Sequence, residues 1–366
     1  MRLLTNNYIS LFLSLYNKAG IKGIINTLSE SFIRHIGFNK YYGCAYIESG
    51  LSFFNEEVRF CCVDITYSFA KMTSYEELND LDAKKIKEIR ETLKSSPLEG
   101  CKECTLFTKG AWKTNKKFNS INILHGDICN FKCQYCYQTV KSDYSTQQAK
   151  HKIMPYLENL YEKNLISDSA YFGYGGEPAL HPEINEILNF TKKLKNSYST
   201  ITTNASVYLE TIDELLKLNK CEVLCSVDAG SRELFAKIKG VDCFDKVINN
   251  LKKYAASGRV VGKYIVFEEN LNPEEIINFV KIMKEVNVRF VKITFDWRYK
   301  AEELPDDYLI CAVIGKIWAD LYKVNANIDC WLFKDTKQIY KRVNMLYDSL
   351  YKEQKEIFQK QNPMDL

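Results

Sequence analysis

From Ser120 onward the chain alternates short apolar runs with longer amphipathic stretches. The apolar runs fall around Ile121 and Ile123, then at 170–174, 199–203, 222–228, 260–267 and 290–295. In several of them apolar and polar residues alternate, as Val291, Ile293 and Phe295 do against Lys292 and Thr294. A period of two predicts strands. Helical spacing appears between them. Ile184, Ile187, Leu188, Thr191 and Leu194 follow Pro182, a residue suited to a first helical turn, and Val247, Leu251 and Tyr254 stack on one face. Asn272-Pro273-Glu274-Glu275 reads as a helix start. Six strand–helix repeats imply an α/β fold with a parallel sheet wrapped by helices, either doubly wound or a partial barrel. In both, ligands bind at the carboxyl ends of the strands.

The first 118 residues lack this rhythm and hold Cys44, Cys61, Cys62, Cys101 and Cys104. They are read as a separate module. After Asp296 the pattern turns helical, with Tyr308, Cys311, Ile314, Ile317 and Leu321 at helical spacing. The expected division is therefore an N-terminal cysteine-containing module at 1–118, a core at 119–300 and a C-terminal helical cap at 301–366.

The composition, 46% hydrophobic and 26% charged with 7 prolines, is that of a globular protein. A net charge of +4, with basic residues spread along the chain, gives no support for nucleic acid or membrane as a partner. The apolar stretch 9–16 is too short to span a bilayer and lacks a small-residue cleavage site. Thirteen cysteines in 366 residues would suit a secreted disulfide framework only if the count were even and the chain short. A reducing, low-oxygen cytoplasm with metal-bound thiolates is the expectation.

The chemistry concentrates at the strand ends. Cys129, Cys133 and Cys136 follow the first strand, Gly175-Gly176-Glu177-Pro178 the second, Asn204 the third and Asp228 the fourth. Cysteine thiolates are the usual ligands of iron–sulfur clusters. Three on one loop can hold three irons of a cubane and leave the fourth open to a substrate or cofactor. Structural zinc, with His125 or His151 as fourth ligand, is the alternative.

The spacing C-x-x-x-C-x-aromatic-C, with Tyr135 as the aromatic, resembles that of the radical S-adenosylmethionine superfamily. The resemblance extends over about residues 120–296. It implies a partial (β/α)6 barrel, a 4Fe–4S cluster on Cys129, Cys133 and Cys136, and S-adenosylmethionine as cofactor. It further implies that Gly175, Gly176 and Glu177 hold the cofactor's ammonium. Asn204, Ser226 and Asp228 would lie near its ribose or methionine part, and Lys263 and Tyr264 are further candidates. Asp296, ending the sixth strand, is the candidate substrate contact or proton acceptor.

The N-terminal set Cys44, Cys62, Cys101 and Cys104, with Cys61 competing for the place of Cys62, resembles the auxiliary-cluster (SPASM-like) modules of that superfamily. Those modules commonly follow the barrel; here the set precedes it. A second 4Fe–4S cluster is expected there, with zinc as the alternative. Cys221, Cys225, Cys243, Cys311 and Cys330 have no metal spacing and read as small buried hydrophobes.

The expected activity is that of an oxidoreductase or maturase. It would act on a peptide or small molecule and take electrons from a donor such as flavodoxin or ferredoxin. A non-catalytic binding protein stabilised by zinc or a cluster is the competing class. An electron carrier would need full cysteine ligation, which the 129–136 loop lacks.

Overall fold

The computed structural model describes residues 41–54, 57–61, 74–95, 101, 104, 106–110, 112, 115–124, 128–136, 151–296, 298, 304–330 and 336–363. Contacts cluster into two compact units. The first takes in the chain up to Ile128 and Ser145–Ile201; the second takes in Cys129–Tyr144 and Thr202–Leu366.

In the first unit, β1 (Tyr41–Gly43) pairs antiparallel with β4 (Thr108–Gly110). β2 (Gly50–Phe53) turns back antiparallel on β3 (Val58–Arg59) and runs parallel to β5 (Phe118–Ile123), with Leu51 opposite Ile121 and Phe53 opposite Ile123. β5 pairs parallel with β6 (Ile166–Tyr174), and β6 with β7 (Tyr198–Thr202). Residues before 118 thus supply a strand that hydrogen-bonds directly to the first strand of the predicted rhythm. The helices of this unit are α1 (Ala45–Ser49), α2 (Ala83–Ser95), α3 (Met154–Glu162) and α4 (Ile184–Lys193). α4 begins two residues beyond Pro182, with Glu183 at its N-cap position.

The second unit carries β8 (Cys221–Ser226), β9 (Val260–Val266), β10 (Phe290–Phe295) and β11 (Ala326–Asp329), each parallel to the next. α5 (Glu210–Lys217) precedes β8; between the strands run α6 (Arg232–Lys239), α7 (Phe244–Ser257), α8 (Pro273–Val286) and α9 (Asp306–Leu321), followed by α10 (Thr336–Gln361). Asn272 caps α8 as its sequence predicts, its side chain accepting from the Glu274 N–H at 2.9 Å. β11 interrupts the helical C-terminal stretch; its four residues are too few to show a period.

The α/β class holds in both units, and the strand–helix succession of a partial (β/α)6 barrel runs from β5 to β10. Parallel strands covered by helices are apolar on both sides, which is why their signal survives in the sequence. Cys221, Cys225, Cys311 and Cys330 are buried, as small hydrophobes would be. Among the described residues no helix is long and apolar enough to cross a membrane.

Candidate functional site

The 129–136 loop lies in the second unit and is pinned to the carboxyl end of α6. Lys132 N–H donates to the Lys239 carbonyl at 2.9 Å and Gln134 N–H to the Ile238 carbonyl at 3.1 Å. The Gln134 side-chain amide adds a bond to the Lys237 carbonyl at 3.1 Å. The loop therefore satisfies the carbonyls that the last turn of a helix leaves without intrahelical partners. Within the loop, Cys136 N–H donates to the Cys133 carbonyl at 3.0 Å, and Phe131 N–H points at the Cys129 sulfur at 3.4 Å.

Beneath the loop sits a buried charge network. Lys239 Nζ donates to Asp228 Oδ2 at 2.5 Å and to the Tyr135 hydroxyl at 2.6 Å. The Tyr135 hydroxyl donates in turn to Asp228 Oδ2. The other Asp228 oxygen accepts from Ile265 N–H at 2.7 Å, and Asn270 Nδ2 donates to the Asp228 carbonyl at 2.9 Å. Asp228 and Lys239 are 0% and 1% exposed, so each depends on the other for its charge. Asp228 has a left-handed backbone, φ 61°. Its carboxylate, expected near the cofactor, accepts from Lys239, the Tyr135 hydroxyl and Ile265 N–H.

Burial pushes the Cys133 thiol up to about 11 against the pull of the Lys239 ammonium, with Cys129 and Cys136 close enough to add to the rise. Burial works against the charged form of Lys239, but Asp228 and Cys133 outweigh it and leave its pKa raised. Burial, then Asp228, hold the Tyr135 phenol well above its ordinary value. A buried cation beside Cys133 is an electrostatic setting suited to a thiolate ligand.

Asn204 reaches the same loop. Its Nδ2 lies 2.7 Å from Asn130 Oδ1 and 3.8 Å from the Cys129 sulfur, while its Oδ1 accepts from Ser206 N–H at 2.9 Å. Ser226 ends β8 half-buried, in register with Lys263 on β9. Burial lowers the Lys263 pKa. Tyr264 is buried and donates its hydroxyl to the Asn270 carbonyl at 3.1 Å, which makes it a packing residue of the strand. Asp296 is 1% exposed; both its oxygens serve Arg298, one taking the backbone N–H at 2.9 Å and the other the guanidinium.

The predicted glycine turn lies in the first unit. Gly175 N–H donates to the Ile123 carbonyl and Glu177 N–H to the Ile128 carbonyl, both at 3.0 Å. Gly176 has φ +70°, a conformation that favours glycine. Glu177, 3% exposed, accepts from Ala179 N–H at 3.1 Å. A small pocket beside the turn is lined by Ile128, Gly175, Glu177 and His181, among others. Of the alternative zinc ligands, His151 stacks on Tyr75 at 4.4 Å in this unit, and His125 lies outside the described residues.

Of the N-terminal cysteines, Cys62 lies outside the described residues. Cys44, Cys101 and Cys104 line one pocket, together with Cys61.

Lys239 was invisible as a functional residue in the sequence. A lysine just before a glycine at a helix end reads as a solvated last-turn cation; only the burial of its ammonium against Asp228 and Tyr135 reveals it.

Residues 123–294 match the profile of the radical SAM superfamily. A probable GTP 3′,8-cyclase of Saccharolobus islandicus is 29% identical over 166 residues, covering 45% of this chain and 53% of that protein. A GTP 3′,8-cyclase of Synechocystis is 24% identical over 180 residues, covering 49% and 55%. The chain thus spans about half the length of the curated relatives it matches. Among solved structures, Streptococcus suis SuiB bound to S-adenosylmethionine aligns with a TM-score of 0.46 at 17% identity, covering 68% of this chain and 56% of that one. Native anSMEcpe with bound AdoMet aligns with a TM-score of 0.45 at 18% identity, covering 57% and 63%.

Proposed function

Starting from the radical SAM domain that residues 123–294 form, we propose that this chain is an enzyme that cleaves S-adenosylmethionine and abstracts hydrogen from a substrate. Cys129, Cys133 and Cys136 would hold a 4Fe–4S cluster with one iron open. The residues present fit that group: three thiols share one loop, N–H donors face the Cys129 sulfur, and a buried ammonium lies under Cys133. When bound, the cluster and cofactor supply a one-electron cleavage that yields methionine and a 5′-deoxyadenosyl radical able to take a hydrogen atom from carbon.

The chain's own residues position and shield. The α6 carbonyls fix the loop backbone, and the Lys239–Asp228–Tyr135 network fixes it from below. Asn204 presents an amide to Cys129, and a donor beside a ligating sulfur stabilises its thiolate form. Lys263, a cation whose burial lowers its pKa, is assigned the carboxylate of the cofactor. Gly175, Gly176 and Glu177 are assigned its ammonium, with the left-handed glycine freeing backbone carbonyls. Ser226 is assigned the ribose. Asp296, held by Arg298, is assigned a substrate contact. The electron comes from an external donor such as flavodoxin or ferredoxin.

The observation that carries this reading is the docking of a three-cysteine loop on a helix end over a buried ion pair. The test is anaerobic: reduce the iron-loaded protein with S-adenosylmethionine and measure 5′-deoxyadenosine and methionine. Equimolar formation of both is expected. An intact cofactor beside a reduced cluster would refute the proposal. GTP, named in the relatives, is the first substrate to supply; consumption of deuterated GTP with deuterium transfer into 5′-deoxyadenosine would extend the likeness to the reaction.

A further inference from the structure

The 129–136 loop is docked on the end of a helix that disfavours the charge it would carry. The carbonyls of Lys237, Ile238 and Lys239, the last three residues of α6, all accept hydrogen bonds from Lys132 or Gln134, the two neighbours of Cys133. The carboxyl end of a helix carries the equivalent of about half a negative charge, and anions are favoured at the opposite end. Three thiolates around a 4Fe–4S core of charge 2+ leave a net negative charge, and uptake of an electron adds another. Gly240 makes the docking close. It ends α6 with φ +69°, and a Cβ there would lie 3.0 Å from Lys132 Cβ. The approach that fixes the loop therefore works against reduction of the metal it would hold.

Lys239 opposes that field. Its ammonium does not extend into water, as a last-turn cation ordinarily does, but turns under the loop. The residue is 1% exposed; Nζ donates to Asp228 Oδ2 and to the Tyr135 hydroxyl, and lies 5.0 Å from the centre of the Tyr135 ring. A charge held away from water acts on its neighbours with little screening. Asp228 spends its other oxygen on Ile265 N–H, on the far side from the loop's thiols. Cys133 accordingly feels the Lys239 ammonium more strongly than the Asp228 carboxylate.

We propose that Lys239 is a positioning residue whose buried ammonium offsets the α6 carbonyls and raises the reduction potential of the cluster on Cys129, Cys133 and Cys136, while Asp228 keeps that ammonium charged and in place. The inference rests on the reading that this loop holds the cluster.

The test separates field from fold. Lys239→Met alone leaves Asp228 buried without its cation. Adding D228N removes the stranded charge, so denaturant titration should place K239M/D228N close to the unaltered chain. If the pair were merely structural, the reduction potential would return with the fold. The expected result is that it does not. In the full chain, loaded with iron and sulfide without oxygen, the loop's EPR signal is the one that C129A/C133A/C136A removes. In K239M/D228N that signal should reach half-reduction at a more negative potential. Reduction made tenfold less favourable is a fall of about 59 mV for a one-electron couple. K239R keeps the cation and should stay near the unaltered value. If K239M/D228N does not fold, K239Q/D228N, which keeps a hydrogen-bonding amide pair without charge, is measured in its place with the same expectation. An unaltered potential or a positive shift in the neutral variant, or an equal fall in K239R, would overturn the assignment. Cofactor cleavage reports separately. The shift without cleavage of S-adenosylmethionine would refute the proposed function and leave this inference standing; cleavage without the shift would do the reverse.

Discussion

Cys129, Cys133 and Cys136 come from one short loop, whereas Cys44, Cys61 and the Cys101/Cys104 pair come from three separate stretches of chain. The first set is local, so its geometry is decided by how the loop is fixed: three bonds to the end of α6 and a buried ion pair below. The second is non-local, so its geometry is decided by strand pairing between β1 and β4 and between β2 and β3. A local set can spare a ligand and still hold a cluster in place, which leaves an iron for chemistry. Where a set is collected from distant segments, any metal it binds adds its binding energy to folding.

Substitution can break that contrast from either side. The largest effect is expected from C129A/C133A/C136A, which should reduce 5′-deoxyadenosine to background in an anaerobic assay. Next, Lys239→Met strands the Asp228 carboxylate in the interior. Removing one partner of a buried pair destabilises by about 3–5 kcal/mol, read by denaturant titration of the apo-protein, and D228N in the same chain should restore most of it. The 129–136 loop should lose its iron in this variant more readily than in the unaltered chain. Gly50→Ala acts on the other site alone. Overpacking against the Phe60 and Tyr46 carbonyls should destabilise by about 1–3 kcal/mol, read by denaturant titration, with cofactor cleavage retained. The smallest effect is expected from Asn204→Ala, which removes an amide from the Cys129 sulfur. Loss of a neutral hydrogen bond amounts to about 0.5–1.5 kcal/mol, and iron should leave the loop about 10-fold more readily, as measured by chelator-release kinetics.

The same contrast explains what the sequence could reveal. Strands β5 to β10 were legible because parallel strands under helices carry dense apolar runs. β2 was not: Gly-Leu-Ser-Phe is buried at all four positions, shows no period, and takes its meaning from pairing with β5. The three-cysteine loop was legible because its ligands lie within one motif. The choice between Cys61 and Cys62 was not, since neighbouring residues differ only in which way the backbone turns them, and Cys62 lies outside the described residues. Asp228 shows the reverse case. Its place after a strand pointed to the cofactor; its left-handed backbone and its partner on α6 turn the carboxylate inward, and neither is written locally.

The parallel seam between β2 and β5 has a practical corollary for anyone shortening this protein. A polypeptide starting at residue 118 would keep β5 but strip away the partner that takes up its backbone from Ser120 to Ile123. An uncovered sheet margin of that kind recruits other copies. Such a fragment should elute as soluble oligomers or precipitate on concentration, however well its cysteine loop is formed.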